Sequence, residues 1–187
     1  MPLSRNSCKS GSFILRKIDD HSICSSFDCG NEDLNDYFHN HAEPHKTQLI
    51  TQCYCLQDEV SGEIMALLDF CNDSVRSDDY NDLIDIDDAK RYRYLPAVKI
   101  TRLGVRRDLQ NQNFGTQCLN MVKMFFITDN RTGCRCITVD AYKEVVGFYT
   151  KNKFKLLSRQ DERKATRAML FDLKRLELPN PPNFETG

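Results

Sequence analysis

The stretch "ITRLGVRRDLQNQNFGTQCL", Ile100 to Leu119, decides the reading of the chain. It opens with a strand-like run, crosses a polar loop, and closes on the start of a helix-like run, "TQCLNMVKMFF". The first amides of a helix lack intrahelical partners, and the aligned peptide dipoles favour negative charge there. A strand that feeds a helix through such a loop therefore offers its backbone to an anion, most often a phosphate. Loops of this kind usually carry several glycines so that the backbone comes close. Here Gly115 stands without neighbours of its kind, and Asn111 and Asn113 occupy positions where glycine would be easiest. Asparagine is the non-glycine residue best able to enter the left-handed region, so the turn is expected to survive.

Outward from this loop the periodicity changes. Upstream, "SFILRKID" from Ser12 reads as a strand, and "TQCYCLQD" and "EIMALLDFCN" flank the turn "EVSG" as an antiparallel hairpin. Between them "DCGNEDLNDYFHNHA" starts a helix at Asn31 or Gly30, aligns Leu34, Tyr37, Phe38 and His41 on one face, and is expected to end before Pro44. The polar run from Asn72 to Lys90 reads as a long excursion with little core to offer, carrying a short helix near Ile84 to Arg91. "YLPAVKITRLGV" is a strand whose Pro96 suits an edge or a strand start. Cys118, Leu119, Val122, Phe125 and Phe126 then form a broad apolar helical stripe. "CRCITVDA" is the next strand, followed by the helix "KEVVGFYTKN", the short strand "FKLLS", a basic loop and a final strand, "AMLFDLK". The tail "LPNPPNFETG" reads as extended or frayed. One strand–helix–strand crossover in the middle makes the central strands parallel, while hairpins make the rest antiparallel.

Composition agrees with one domain over residues 1–187, its core spanning about 12–175: 187 residues at 40% hydrophobic content are enough for a buried core. Formal charge is -1, from 26 basic and 27 acidic residues, which argues against indiscriminate nucleic-acid binding. No apolar run reaches a membrane-spanning length and the first residues lack the apolar centre of a secretion signal, so the expectation is a cytoplasmic protein with no membrane partner. The nine cysteines fit reducing conditions. The pairs Cys53/Cys55 and Cys134/Cys136 read as small buried hydrophobes on one sheet face. A metal site with His39, His41 and His45 is the weaker reading, since the sequence has no CxxC pair, and no metal is expected.

Two stretches resemble the GNAT superfamily of acyl-CoA-dependent N-acetyltransferases. "ITRLGVRRDLQNQNFGTQCL" looks like its fourth strand and Gln/Arg-x-x-Gly-x-Gly/Ala loop, with Gln110, Asn113 and Gly115 at the three motif positions. "ITVDAYKEVVGFYTKNKF" is similar to its fifth-strand and following-helix signature, and is the more specific match. "FDCGNEDLNDYF" resembles the opening of the subgroup that includes acetyltransferase toxins of bacterial toxin–antitoxin pairs. The resemblance implies a mixed α/β fold: a mostly antiparallel sheet of six to seven strands flanked by helices, splayed between its fourth and fifth strands, with acetyl-CoA in the opening. It implies that backbone groups of Leu103 and Val105 bind the pantetheine arm and that amides of Gln110, Asn111, Gln112, Asn113, Phe114, Gly115 and Thr116 hold the pyrophosphate. It also implies that Tyr149 sits near the sulfur as the catalytic proton donor, a phenol still protonated at neutral pH.

The activity implied is acetyl transfer to a primary amine of a small molecule or protein by direct transfer in a ternary complex. The alternatives are a toxin acting on aminoacyl-tRNA, or a non-catalytic acyl-CoA-binding protein. Partners on these readings are acetyl-CoA, the amine acceptor, transfer RNA, an antitoxin and, in a homodimer, a second copy of the chain. For transfer RNA the basic candidates are Lys151, Lys153, Lys155, Arg159, Arg163, Lys164 and Arg167. Glu63, Asp69 and Asp140 are carboxylates in or beside strands, and no general base is assigned among them; Arg102 is expected to pair with a carboxylate.

Overall fold

A computed structural model describes residues 7–10, 12–80, 83–84, 86, 92–128, 130, 133–157 and 164–176. Its centre is one sheet in the order β1-β2-β3-β4-β5-β6-β8-β7. The strands are β1 (Ser7–Ser10), β2 (Phe13–Lys17), β3 (Gln52–Asp58), β4 (Ile64–Arg76), β5 (Tyr94–Val105), β6 (Cys136–Tyr142), β7 (Lys155–Leu156) and β8 (Thr166–Asp172). All neighbours pair antiparallel except β5 and β6. The mixed, mostly antiparallel layout matches the expectation. The strand beyond the expected count is β1, whose "SCKS" is too short and polar to leave a pattern.

The crossover from β5 to β6 is α4 (Phe114–Thr128), which buries Cys118, Leu119, Met121 and Val122 against one sheet face. Leu15, Leu56, Leu68, Ile100, Ile137 and Met169 meet it from the strands. The opposite face is covered by a 3-10 turn (His21–Cys24) and a helical hook, which pack on Cys53, Cys55 and Leu67. The hook is α1 (Glu32–Asp36), a π turn (Tyr37–His41) and α2 (Ala42–Thr47). Asn31 caps it, its side chain accepting from the Leu34 amide at 3.0 Å.

The hook runs through Pro44 instead of stopping before it. The π turn interrupts the i→i+4 ladder ahead of the proline, so the missing donor falls where the helix is already broken. The π turn also alters the face: Tyr37 and Phe38 are buried, while His41 turns outward to Asp36 at 3.1 Å.

Two further expectations are corrected. Asn72 to Arg76 continue β4, paired with β5 through Arg76 opposite Tyr94, and α3 (Ser77–Tyr80) follows. This region does contribute core, since Val75, Tyr80 and Ile84 are buried with Leu95, Cys136 and Leu170. Most of the helix expected at 84–91 lies outside the described residues, as do 158–163 of the basic loop and the proline-rich tail from 177. Cys134 and Cys136 do not share a face: Cys134 precedes β6 and joins the α4 side, whereas Cys136 joins the cluster with Tyr80. Cys53 and Cys55 share one, as expected. Among the described residues no helix is long and apolar enough to cross a membrane.

The segment after β6 folds back as a 3-10 turn (Lys143–Val145) and α5 (Val146–Lys151). Buried Lys123 of α4 anchors it by donating to the Asn152 carbonyl at 2.8 Å, over the Phe171 ring at 4.2 Å. A cation at a helix C-terminus is well placed, yet burial pushes the Lys123 pKa down to about 8. The folded state therefore disfavours the charged form, a penalty present below about pH 8 and relieved as pH rises toward the ordinary 10.5. The stability of the wild type relative to Lys123→Met should accordingly rise by about 1–2 kcal/mol between pH 8 and 10 in urea denaturation. A difference that does not move with pH would contradict this.

Candidate active site

The parallel pairing of β5 with β6 is short. It runs from Ala97 opposite Cys136 to Ile100 opposite Val139 and then stops. Beyond it, Arg102 to Val105 pair only with β4, and Asp140 to Tyr142 pair only with β8. The two strands form a fork, corresponding to the expected splay between the fourth and fifth strands once β1 is counted. The Arg106 amide donates to the Met65 carbonyl on the β4 side at 2.9 Å. Since main-chain groups alternate sides along a strand, those of Leu103 and Val105 point the other way, into the fork.

At the end of β5 the chain makes a 3-10 turn (Arg107–Leu109) and a loop into α4. Asn111 and Asn113 have φ of 62° and 68°, so both take the left-handed conformation expected of them. Among the described residues, none of the amides of Asn111, Gln112, Asn113, Phe114, Gly115 and Thr116 donates to a backbone carbonyl; the first to do so is that of Gln117, bonded to Asn113 at 3.1 Å. These donors lie in the loop and first turn at the head of a 15-residue helix.

Gln110, expected among these donors, instead bonds its main-chain amide to the Arg107 carbonyl at 3.5 Å; its side chain has a task of its own. The side-chain amide donates to the Cys29 carbonyl at 2.7 Å and the Val105 carbonyl at 3.0 Å, tying the loop to the chain entering α1. Arg107 adds a backbone bond to the Asp28 carbonyl at 2.9 Å. The Gln112 side chain closes the turn by donating to the Asp108 carbonyl at 2.7 Å. Gly115 serves packing: a Cβ there would stand 3.0 Å from the Phe148 ring. That contact brings α5 against the first turn of α4.

Tyr149 follows Phe148 on α5 and is only 6% exposed, packed edge-on to Phe148 and Phe154. Burial, with Cys118 beside it, raises its pKa above the ordinary phenol range, so the hydroxyl is a proton donor throughout physiological pH. The fork thus has β5 on one wall, β6 and α5 on the other, and the free amides at its mouth.

The charged candidates sort themselves by partner. Glu63 pairs with Arg106 at 3.0 Å and Asp140 with Lys99 at 3.0 Å, so both are engaged at the surface. Arg102 donates to the Thr101 carbonyl at 2.8 Å and lies 4.8 Å over the Tyr37 ring; among the described residues no carboxylate pairs with it. Asp69 alone of the three carboxylates is wholly buried. Sequence reading did not single out its partners Tyr37 and Thr101, because each lies 32 residues away.

The left-handed asparagines yield a direct test. Asn113→Gly should leave stability in urea within about 0.5 kcal/mol of wild type, whereas Asn113→Ala should lower it by about 1 kcal/mol. An alanine variant as stable as wild type would contradict the assigned backbone conformation.

No protein-family model matches the sequence, and no curated protein matches it. Solved structures do. A bacterial toxin superposes with a TM-score of 0.70 at 18% identity, covering 86% of this chain and 91% of its own. A tyrosine-to-phenylalanine variant of the toxin AtaT, bound to the C-terminus of the antitoxin AtaR and acetyl-CoA, gives 0.64 at 18% identity over 88% and 95%. AtaT complexed with acetyl-methionyl-tRNAfMet gives 0.66 at 21% identity over 87% and 95%. Each likeness covers 86–88% of this chain, so the chain shares the fold of these toxins.

Proposed function

We propose that this protein is an N-acetyltransferase that moves the acetyl group of acetyl-CoA to a primary amine by direct transfer. The observation that carries the reading is the fork itself. The main-chain groups of Leu103 and the amide of Val105, unpaired by any strand, line one wall, and the free amides from Asn111 to Thr116 stand at its mouth. A pantetheine arm would pair with the first set as an added strand does, and its diphosphate would accept from the second. AtaT, which shares the fold, has been solved with acetyl-CoA, and this supports the assignment.

In the reaction the neutral amine attacks the thioester carbonyl carbon. The resulting oxyanion is stabilised by a β5 amide, Leu103 or Val105, already aimed into the fork. Collapse of the adduct breaks the carbon–sulfur bond, and the departing thiolate takes the Tyr149 proton. The proton shed by the nitrogen restores the phenol, so the products are the amide and free coenzyme A. Tyr149 suits this role because burial keeps its hydroxyl protonated.

For the acceptor, the amino group of an aminoacyl-tRNA is the reading favoured by one specific observation, the likeness to AtaT complexed with acetyl-methionyl-tRNAfMet. Exposed Lys151, Lys153 and Lys155 follow Tyr149 along the chain from the end of α5 into β7, and a phosphate backbone would run along them. A steep fall of transfer-RNA affinity with salt supports this acceptor; no binding at low salt removes it.

Tyr149→Phe should lower turnover, followed by thiol release from acetyl-CoA, by roughly 100-fold while the Kd for acetyl-CoA stays within about twofold. Unchanged turnover would remove Tyr149 from the chemistry.

A further inference from the structure

β5 departs from a regular ladder at one residue. Asp69 stands opposite Arg102 and Phe70 opposite Ile100, leaving Thr101 as an extra residue in the strand. Such a bulge bends its strand and increases the local twist. This one falls immediately after Ile100, the last residue of β5 to pair with β6. The bend therefore lies at the root of the fork.

One carboxylate holds it. The Thr101 hydroxyl lies 3.1 Å from both the main-chain oxygen and Oδ2 of Asp69. The Tyr37 hydroxyl donates to the same Oδ2. Tyr37 is itself fixed by His45 Nδ1 and Thr51 Oγ1, each at 3.3 Å, with Arg102 over its ring. Asp69 is 0% exposed, and its Oδ1 has no hydrogen-bond partner among the described residues. Burial pushes its carboxyl pKa up, while the hydroxyls of Tyr37, Thr51 and Thr101 pull it down.

A buried acid with one oxygen unanswered is a costly way to hold a sheet together, since removing a carboxylate from water without full hydrogen bonding is unfavourable. Its bonds all converge on the bulge residue and on the tyrosine that ties the helical hook to the sheet. We propose that Asp69 is a positioning residue for acyl transfer, fixing through Thr101 the bulge that turns the Leu103 and Val105 main chain into the fork. The inference rests on the reading of the fork as the acetyl-CoA site, and adds to it a residue that touches neither cofactor nor acceptor.

Thr101→Val keeps the shape and removes only the hydroxyl. It should lower kcat for acetyl-CoA turnover by roughly 10- to 100-fold, with the Kd for acetyl-CoA within about threefold and the fold intact by circular dichroism. Asp69→Ala should behave in the same way, and Asp69→Asn, whose oxygen can still accept from both hydroxyls, should recover most of the lost kcat. The amide resonance of Leu103 should shift in Thr101→Val and return toward its wild-type position in Asp69→Asn. A purely structural role would lower the melting temperature and leave kcat per folded molecule unchanged, and wild-type kcat in Thr101→Val would overturn the proposal even if Asp69→Ala failed to fold. Absence of turnover in the wild type would overturn the acetyltransferase reading and this proposal with it, whereas wild-type turnover with unaffected variants would overturn the role of Asp69 alone.

Discussion

Everything in this molecule depends on where β5 and β6 stop pairing. Two parallel strands need a crossover, and a right-handed crossover built from a helix brings that helix back over one sheet face. Here α4 is that crossover, so its N-terminus is delivered to the end of β5, just where the strand has already left its neighbour. Had the ladder continued to Val105, the main-chain groups of Leu103 would be consumed by β6. Because it ends at Ile100, the fold leaves a cleft whose walls are backbone and whose mouth is a helix N-terminus. The same few residues thus supply both the opening and the donors that point into it.

The walls are kept in place by contacts that look unrelated in sequence. Gly115 lets the Phe148 ring approach more closely than a Cβ would ordinarily allow, which brings α5 and Tyr149 to the loop. Gln110 ties the loop to Cys29, and the Arg107 amide bonds to Asp28. Lys123 anchors the far end of α5 from inside the core. Two of the buried charged side chains thus bear on the cleft, Asp69 at its root and Lys123 beneath the end of α5. Glu63 and Asp140 show the cheaper alternative, surface carboxylates answered by Arg106 and Lys99.

Much of this was legible from periodicity and local chemistry. The hairpin of β3 and β4, the apolar stripe of α4 and the single parallel crossover follow from side-chain alternation and helical spacing alone. Asn111 and Asn113 were readable because a left-handed turn has few residue types to choose from, and their φ values bear this out. Other features were hidden for physical reasons. Asn72 to Arg76 look like a loop because Asn72, Ser74 and Arg76 line the exposed side of the strand and polar Asp73 shares the inner side with Val75. Pro44 ends a regular helix but not one already broken by a π turn. The Tyr37–Asp69–Thr101 hub joins residues from three elements, and no local pattern announces a contact made only when the sheet closes.

The central claim is that the fork and the loop beyond it form one site for an acyl-coenzyme A. It is tested most directly by titrating the isotopically labelled protein with coenzyme A and following backbone amide resonances. The account predicts saturable shifts concentrated at Leu103, Val105 and the residues from Asn111 to Thr116, with small changes on the far strands β1 and β2. Saturation without movement of those amides, or no saturable change at millimolar ligand, would contradict it.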